Sequence, residues 1–426
     1  MLMKKSFYNN YICKRENEDV LVFNSKSGAI TWMRENLVKK LQENTVDIEE
    51  EFIDALYQNG FVIDNDVDEI NSTIMMVKQN ILNPNPRSIA FVIIPTQACC
   101  FKCCYCFESG INSQRASKSV MLDILKYIRQ QVELKRSIKI LDIKWFGGEP
   151  LLCKDYIDSF SKEIINFCSN KGIKYNAGII TNGLLIDKDT LDMFHQNRIK
   201  RIQITLDGDE EFYCKYKGAS QEQFQKVYKN ILMCCSDGIH TTVRFNVSRE
   251  NQNSVLEVLK KLCSEESFNG NVYPAMIFRD NKDGDFYTPL SLKEFQDFKE
   301  KFVNIIHGYG MRYTLAKNHS MPKRLPCGLM KCNNCVIGVN GELYRCEHHV
   351  GRKDLVIGNI KDGFYRNCVD MNFLTFDLPD KCKKCKIMPI CLSGCVNDRI
   401  NGVEIDCDVQ KKEVYNSVKE VSTTVI

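Results

Sequence analysis

The sequence lacks any hydrophobic run long enough to cross a membrane, and it carries little net charge. No uncharged apolar stretch approaches the roughly 18 residues that a membrane helix needs, and the first lysines are not followed by the apolar segment of a secretory signal. The 58 Lys and Arg against 54 Asp and Glu leave a net charge of +4, too small to indicate a nucleic-acid or membrane-binding surface. We therefore expect a soluble, cytoplasmic protein without nucleic-acid or membrane partners.

Cysteine is the residue type that the sequence has in excess. It contains 22 cysteines among 426 residues, yet a chain long enough for about three domains does not need disulfides to fold. Metal ligation is therefore the leading explanation. The alternative, in which buried thiols act as small hydrophobic side chains, predicts random spacing, so the spacing of the cysteines decides between the two.

The pattern along the chain predicts three domains, the first of them at residues 1–85. Strand-like runs at 20–23 and 29–33 flank a turn-rich link, and helical spacing of apolar residues follows, first near 35–42. Two strands followed by two helices indicate a small winged-helix-like domain. The stretch with two prolines at 83–86 is typical of a linker.

Residues 86–310 alternate strand-like and helical segments, which indicates an α/β domain with a buried parallel sheet. Apolar strand-like runs begin near residues 89, 138, 173, 199, 240 and 271. Amphipathic helical stretches follow near 117–134, 154–171, 187–197, 220–237, 253–266 and 291–308. Such units predict a full or partial (β/α)6 barrel, whose chemistry takes place at the carboxyl ends of the strands. Residues 311–426 are irregular, hold 10 of the 22 cysteines and are expected to fold around metal.

The first chemical motif is a group of three cysteines directly after the first predicted strand of the barrel. The spacing Cys99-x3-Cys103-x2-Cys106 puts three thiolates on one short loop. Such a loop can bind three irons of a 4Fe–4S cubane and leave the fourth iron open to another ligand. Cys100 is adjacent, but only the frame that begins at Cys99 completes the triple, because Phe107 stands where the other frame requires a cysteine.

This loop, with Tyr105 before its last cysteine, resembles that of the radical SAM superfamily. The resemblance implies a partial barrel in which the open iron binds S-adenosylmethionine (SAM). It implies that reductive cleavage of SAM gives a 5′-deoxyadenosyl radical, which takes a hydrogen atom from the substrate. An electron donor such as flavodoxin or ferredoxin is implied as a partner.

Further motifs follow successive predicted strands and resemble those of the same superfamily. They are Gly-Gly-Glu-Pro at 147–150, Thr-Asn-Gly at 181–183 and Thr-Leu-Asp-Gly at 205–208, the last with Thr where Ser is common. The resemblance assigns SAM contacts to Tyr105, Gly147, Gly148, Glu149, Pro150, Asn182, Thr205, Asp207, Arg244 and Asn246. Each motif alone can be explained as an ordinary turn or a surface residue. Their order after successive strands is not explained in that way.

A second group of cysteines lies near the end of the chain, with the spacing Cys382-x2-Cys385-x5-Cys391-x3-Cys395 followed by Cys407. It resembles the SPASM extension, which binds two auxiliary 4Fe–4S clusters. Three 4Fe–4S clusters in all are therefore implied. The first auxiliary cluster would use Cys327, Cys346 and Cys395, with Cys332 as fourth ligand; Cys335 or a vacant iron site is the alternative. The second would use Cys382, Cys385, Cys391 and Cys407. Structural zinc, a common use of Cys-x2-Cys pairs, is the competing interpretation.

A radical SAM barrel with a SPASM extension and a small preceding domain resembles the maturases of ribosomally made peptides. The resemblance implies a precursor peptide whose leader adds as a strand to the winged-helix-like domain. The implied product is a thioether between a cysteine sulfur and a carbon of another residue. Carbon–carbon crosslinking, epimerisation and oxidative decarboxylation also occur on this scaffold.

Two rival functions come from different classes. Enzymes of the anaerobic sulfatase-maturing type oxidise Ser or Cys to formylglycine and place an Asp base after the cysteine matched by Cys346, where this chain has Glu347. Glu347 is accordingly the candidate catalytic base, with His348 and His349 as alternatives. A multi-cluster electron carrier is the non-enzymatic rival, but a carrier would not need the SAM motifs.

Overall fold

The computed structural model describes residues 3–43, 48–108, 110, 113–277, 287–313 and 320–423, without the side chains of residues 50 and 51. Contacts group the chain into two compact units. The first unit comprises Met1–Leu82, Thr314–Met330 and Phe373–Ile426, and the second comprises Asn83–Tyr313 and Lys331–Asn372. The opening segment and most of the C-terminal cysteines thus belong to the same unit. The three-domain division at residues 85 and 310 stays a prediction.

The opening part of the first unit contains two small antiparallel sheets and three helices. Its strands are β1 (Met3–Lys5), β2 (Asn9–Lys14), β3 (Val20–Asn24), β4 (Ile30–Met33) and β5 (Val62–Asp64). Its helices are α1 (Glu35–Glu43), α2 (Glu50–Gln58) and α3 (Glu69–Ile81). β2, β3 and β4 pair in chain order, and β1 pairs with β5. The predicted hairpin and first helix are confirmed, whereas β1, β2, β5 and α3 were not predicted.

Strand β3 is buried on both of its faces. Val20 and Val22 pack in a cluster that includes Leu56 of α2, whereas Leu21 and Phe23 pack against side chains from the C-terminal part of the same unit. Because successive side chains of a strand point to opposite faces, the opening sheet contributes to two hydrophobic clusters of this unit.

The second unit is built on a parallel sheet. Its strands are β6 (Ser88–Ile93), β7 (Ile140–Trp145), β8 (Lys174–Thr181), β9 (Ile199–Thr205), β10 (His240–Val247) and β11 (Asn271–Met276). Each pairs in parallel with the next in the chain. The intervening helices are α4 (Lys118–Glu133), α5 (Lys154–Asn170), α6 (Lys188–Gln196), α7 (Glu210–Lys217), α8 (Gln221–Ser236) and α9 (Gln252–Ser264), and α10 (Leu292–Gly308) follows β11.

The predicted alternation of strands and helices is confirmed, with one addition. Serine caps mark several helix starts: the Ser117 hydroxyl accepts from the Val120 amide, and Ser220 and Ser291 form capping boxes. The extra helix is α7, which lies between β9 and α8. Its N-cap is Asp209, whose side chain accepts from the Phe212 amide, and the pattern of the sequence did not predict this helix.

Four short strands extend the parallel sheet beyond β6. They are β12 (Cys335–Ile337), β13 (Glu342–Tyr344), β14 (Gly358–Asn359) and β15 (Gly363–Phe364), followed by α11 (Cys368–Leu374). β12 pairs with β6 in parallel, and the other three add in antiparallel order. A fully buried ion pair between Arg345 and Asp370 holds this region, and Arg345 also donates to the carbonyl of Cys332 at 3.1 Å.

The C-terminal part of the first unit consists of helices. They are α12 (Asp380–Lys383), α13 (Met388–Cys391), α14 (Val396–Ile400) and α15 (Cys407–Thr423). The prediction of short, irregular elements is right for the first three and wrong for α15, which has 17 residues. Among the described residues, no helix is both long and apolar enough to cross a membrane.

Candidate active site

The cysteine loop follows β6 and is held against α7. The amide of Lys102 donates to the carbonyl of Lys217, and the amide of Cys104 donates to the carbonyl of Tyr216, both at 2.9 Å. These backbone hydrogen bonds fix the middle of the loop to the last turn of a helix. The loop conformation therefore depends on an element that the sequence pattern did not reveal.

The three predicted ligand thiols are neighbours on this loop. Burial and the nearby Cys103 and Cys99 thiols raise the pKa of Cys106 to about 12. Cys99 shares a hydrogen bond with Cys100, which lowers the pKa of Cys100 to about 7 and raises that of Cys99. Thiols that are buried together become stable thiolates only beside positive charge, which bound iron supplies. The donor set thus fits an iron–sulfur cluster.

Gly147 and Gly148 allow two loops to approach each other closely. The amide of Gly148 donates to the carbonyl of Thr96 at 3.1 Å, and the amide of Glu149 to the carbonyl of Ala98 at 2.9 Å. A Cβ at Gly147 would lie 2.4 Å from the Thr96 oxygen, and one at Gly148 would lie 2.4 Å from the Ala98 oxygen. No side chain fits at either position, so glycine is needed where this motif meets the segment ahead of the cysteine loop.

Glu149 is fully buried and joins this motif to the segment after β8. Its carboxylate accepts hydrogen bonds from the amides of Leu151 at 3.0 Å and Asn182 at 2.7 Å, and from Thr181 Oγ1 at 2.7 Å. Burial nevertheless raises the pKa of Glu149 to about 7. A cationic ligand would stabilise the charged carboxylate, so the site fits the predicted contact with the SAM amino group. Pro150 begins the turn that follows.

Tyr105, Asp207 and Lys217 form a buried network next to the cysteine loop. The Tyr105 hydroxyl donates to the Asp207 carboxylate, and the Lys217 ammonium lies 3.1 Å from the same carboxylate. The amide of Asn246 also donates to Asp207, at 3.1 Å. Sequence motifs identified Tyr105 and Asp207 but missed Lys217, because it belongs to α7. Burial raises the pKa of Cys103, and the Lys217 charge partly offsets this effect.

The remaining predicted SAM contacts lie where adjacent strands end. Arg244 is opposite Thr205 in the register of β9 and β10, and its Nε donates to Asn246 Oδ1 at 2.8 Å. Asn182 Nδ2 lies 3.1 Å from Cys100 Sγ, so the segment after β8 contacts the cysteine loop. The order of the strands therefore brings these residues to one edge of the sheet, where such folds carry their chemistry.

Two carboxylates follow two different cysteines. Glu347 accepts a hydrogen bond from Lys144 of β7 at 2.6 Å. Glu108 has a buried carboxylate oxygen without a hydrogen-bond partner among the described residues, and burial together with the charge of Glu347 raises its pKa to about 7. The rings of Phe107 and His348 stack at 4.3 Å between centroids. Sequence reasoning identified Glu347 but missed Glu108, because no local spacing relates the two.

The second auxiliary set, Cys382, Cys385, Cys391 and Cys407, gathers within the first unit. Burial raises the pKa of Cys382, and the nearby Cys407 and Cys385 thiols add to this. Burial also raises the pKa of Cys391, to which Cys382 and Cys385 contribute. These mutual effects place the four thiols in one neighbourhood.

The first auxiliary set divides between the two units. Cys327 and Cys395 belong to the first unit, and Cys332 and Cys346 to the second. Within the first unit, burial raises the pKa of Cys395 and Cys327 adds to the effect. Cys335 is fully buried in β12, and burial raises its pKa to about 12, whereas Cys332 is partly exposed. Cys332 is therefore the more accessible of the two alternative ligands.

The thiols are neighbours, but they are not packed as tightly as around one ion. Among the described residues, no three His, Cys, Asp or Glu side chains gather closely enough to hold a single metal ion.

Residues 93–262 match the family model of the Radical SAM superfamily. The chain is 27% identical over 345 residues to the cysteine-type anaerobic sulfatase-maturating enzyme of Clostridium novyi, covering 72% of this chain and 88% of that one. The structure of native anSMEcpe with bound AdoMet and Cp18Cys peptide is similar over 80% of this chain and all of that chain, with a TM-score of 0.61 and 18% identity. Streptococcus suis SuiB bound to precursor peptide SuiA is similar over 93% and 96% of the two chains, with a TM-score of 0.53 and 16% identity.

These comparisons show a Radical SAM domain over residues 93–262 and indicate that the chain is an enzyme. The matched residues contain the cysteine loop and the SAM motifs after β7, β8 and β9. The predicted radical SAM fold with its large parallel sheet and the prediction of an enzyme are confirmed, and the electron-carrier interpretation is wrong. Radical SAM proteins bind a 4Fe–4S cluster and SAM, whereas the individual ligands and SAM contacts stay predictions.

Proposed function

We propose that this enzyme modifies a ribosomally synthesised, Cys-containing precursor peptide by forming thioether crosslinks in the cytoplasm. A peptide substrate is supported by the related structures, since anSMEcpe was solved with the Cp18Cys peptide and SuiB with the precursor peptide SuiA. The similarity to SuiB extends over 93% of this chain, against 80% for anSMEcpe. This wider coverage supports a precursor peptide as the substrate, because it includes more of the chain outside the SAM motifs.

Three 4Fe–4S clusters belong to the proposal. The SAM-binding cluster would be held by Cys99, Cys103 and Cys106. The second auxiliary cluster would be held by Cys382, Cys385, Cys391 and Cys407, and the first by Cys327, Cys332, Cys346 and Cys395. The exposure of Cys332 and the burial of Cys335 support the choice of Cys332. An external donor such as flavodoxin or ferredoxin would supply the electron that starts each turnover.

When bound, SAM and the clusters would supply the radical chemistry, namely removal of a hydrogen atom from the acceptor carbon and an acceptor for the electron released as the sulfur–carbon bond forms. The chain's own residues hold and orient the reactants. Glu149 would bind the SAM amino group, Arg244 the carboxylate and Asn246 the ribose. Tyr105 and Asp207 hold the cysteine loop by their hydrogen bond.

The cysteine thiol of the substrate must lose a proton before its sulfur bonds to carbon, and Glu347 is the proposed base. Lys144 holds the Glu347 carboxylate at 2.6 Å, which fixes the position of one oxygen and leaves the other to accept the proton. Glu108 is a second candidate, because one of its buried oxygens has no partner among the described residues. A base contributes only when it lies within hydrogen-bond reach of the thiol.

The leader of the precursor would add to the opening sheet at β4. β4 forms one edge of that sheet, and β2 forms the other. The carbonyl of Asn9 in β2 already accepts from Lys386 Nζ at 3.1 Å, which makes β4 the better edge for an additional strand. Main-chain hydrogen bonds would supply the affinity and side-chain pockets the specificity.

Formylglycine formation is the second candidate function. The cysteine-type anaerobic sulfatase-maturating enzyme of Clostridium novyi is 27% identical to this chain over 345 residues. The residue after Cys346 is Glu347 in this chain, where the sulfatase-maturing type is expected to have Asp, so both have a carboxylic acid at this position. The two functions share SAM cleavage and a cysteine substrate, and they differ in the product.

A comparison of two substrates separates the candidates. Anaerobically reconstituted enzyme is incubated with SAM, a reductant and either the Cp18Cys peptide or a Cys-containing precursor peptide. A thioether product loses a pair of hydrogen atoms and does not react with hydrazines. An aldehyde formed on either peptide and trapped by a hydrazine would contradict the thioether proposal and support formylglycine formation.

A further inference from the structure

The turn between the second-cluster cysteines Cys385 and Cys391 is attached to the opening sheet of the same unit. Its Lys386 carbonyl accepts hydrogen bonds from Asn10 Nδ2 of β2, at 3.4 Å, and from the Ser25 hydroxyl that follows β3. The Lys386 ammonium donates in return to the carbonyl of Asn9 at 3.1 Å. The residue after a proposed iron ligand is thus held from both its main chain and its side chain.

The helix that starts at Cys407 is attached to the same point of the sheet. Tyr415 of α15 donates its hydroxyl hydrogen to Asn10 Oδ1 at 3.0 Å. The Asn10 amide therefore bridges two chain segments, one carrying Cys385 and the other beginning at Cys407. Asn10 is only 2% exposed and Ser25 is fully buried, so water does not replace these partners when they are lost.

Hydrophobic packing joins the same segments. Leu21 and Phe23 of β3 form one cluster with Ile387, which precedes α13, with Ile390 of α13 and with Val414 of α15. Cys385 and Cys391 pack against this cluster. The face of β3 that carries Leu21 and Phe23 therefore lines one side of the site formed by the second-cluster cysteines.

We propose that the opening sheet is part of the binding site of the second auxiliary cluster, with Asn10 and Ser25 as positioning residues for the turn that carries Cys385. This inference rests on the proposed function in one respect, namely that Cys382, Cys385, Cys391 and Cys407 hold a cluster. It adds that the sheet is not a detachable recognition module. Removing the sheet would expose Ile387, Ile390 and Val414 and would leave the Lys386 carbonyl without its two donors. Iron binding by the second-cluster cysteines would then be lost.

The test uses point variants of the full chain, so that the sheet itself stays in place. The double variant Asn10→Asp with Ser25→Ala removes both hydrogen-bond donors to the Lys386 carbonyl and keeps the acceptor for Tyr415. It also removes the hydrogen bonds from Asn10 Nδ2 to the carbonyls of Tyr8 at 2.7 Å and Phe23 at 3.4 Å. Iron and acid-labile sulfide per chain are measured after anaerobic reconstitution, together with the rate of SAM cleavage. Iron should fall from about twelve to about eight atoms per chain, while SAM cleavage at the first cluster continues at the wild-type rate.

Ser6→Ala is the matched control. Ser6 is 3% exposed, and its hydroxyl donates to Glu69 Oε1 at 2.7 Å and accepts from the Tyr8 amide at 3.2 Å and from Asn24 Nδ2 at 2.9 Å, all within the opening segment. This variant loses buried hydrogen bonds of the same segment without touching Asn10, Ser25 or the turn at Lys386. It should keep about twelve irons; an equal loss of iron in this control would overturn the positioning role.

Two further results decide the proposal. Where the double variant loads no cluster at all, the single variant Asn10→Asp is used, and its release of iron to a chelator should be about tenfold faster than in the wild type. If the double variant and Asn10→Asp keep the iron content of the wild type and release iron at its rate, the positioning role is overturned. The proposal of the clusters themselves would not be affected by that result. Wild-type iron content after Cys382, Cys385, Cys391 and Cys407 are all changed to Ala would instead show that the proposed second cluster does not exist.

Discussion

At the scale of single residues, the contact between two backbones explains why glycine stands at position 148. Gly148→Ala would place a Cβ 2.4 Å from the Ala98 carbonyl oxygen, and two loops would have to separate. We expect SAM binding to the anaerobically reconstituted enzyme to weaken about tenfold or more, as measured by titration calorimetry. Gly308→Ala is the control, because no described atom lies within 4 Å of its added Cβ. Equal SAM affinity in both variants would contradict this role.

The two acidic residues make a second prediction at this scale. If Glu347 takes the thiol proton, Glu347→Gln should lower the rate of product formation by about a hundredfold or more. The rate of SAM cleavage should stay unchanged. Both rates are read from one reaction, as 5′-deoxyadenosine and as modified peptide. Glu163→Gln is the matched control, since it removes a carboxylate paired with Arg129 at 2.8 Å elsewhere in the unit.

Glu108→Gln separates the two candidate bases. Normal product formation in Glu347→Gln combined with its loss in Glu108→Gln would transfer the role to Glu108. The sequence could predict Glu347 because a cysteine motif precedes it, but it could not predict its neighbour. The ion pair of Glu347 with Lys144 spans 203 positions, and only the folded sheet brings the two residues together.

At the scale of elements, the edge strand β4 is the predicted docking site of the leader. Addition of the precursor peptide to the full-length enzyme should slow hydrogen–deuterium exchange of main-chain amides in Ile30–Met33, because the new strand covers them. Exchange in β2 should change little, since Lys386 already contacts that edge at Asn9. Protection of β2 with unchanged β4 would contradict this docking site, and the same peptide without its leader is the control.

The elements that the sequence predicted best are those whose patterns are repeated and continuous. The strands β6 to β11 are buried apolar runs, and the helices between them have amphipathic spacing, so both follow from local pattern. β2 and α7 were missed because their residues are mixed in polarity and their places are fixed by partners far along the chain. α7 matters most, since Lys217 at its end binds Asp207 and its backbone holds the cysteine loop.

For the whole molecule, the two cysteine groups predict clusters with separate roles. Changing Cys99, Cys103 and Cys106 to Ala should abolish SAM cleavage and leave about eight of about twelve irons per chain. Elemental analysis of anaerobically purified protein measures iron, sulfide and zinc together. Zinc in place of iron at the C-terminal cysteines would contradict the cluster assignment.

The product of the reaction tests the central claim most directly. The Cys-containing precursor peptide is analysed by mass spectrometry after turnover, before and after treatment with a strong reductant, and its free thiols are counted by alkylation. A thioether predicts a peptide that lacks a pair of hydrogen atoms for each bond, keeps that mass in reductant and has one fewer alkylated cysteine for each bond. A modified peptide in which every cysteine is still alkylated would contradict sulfur-to-carbon bond formation.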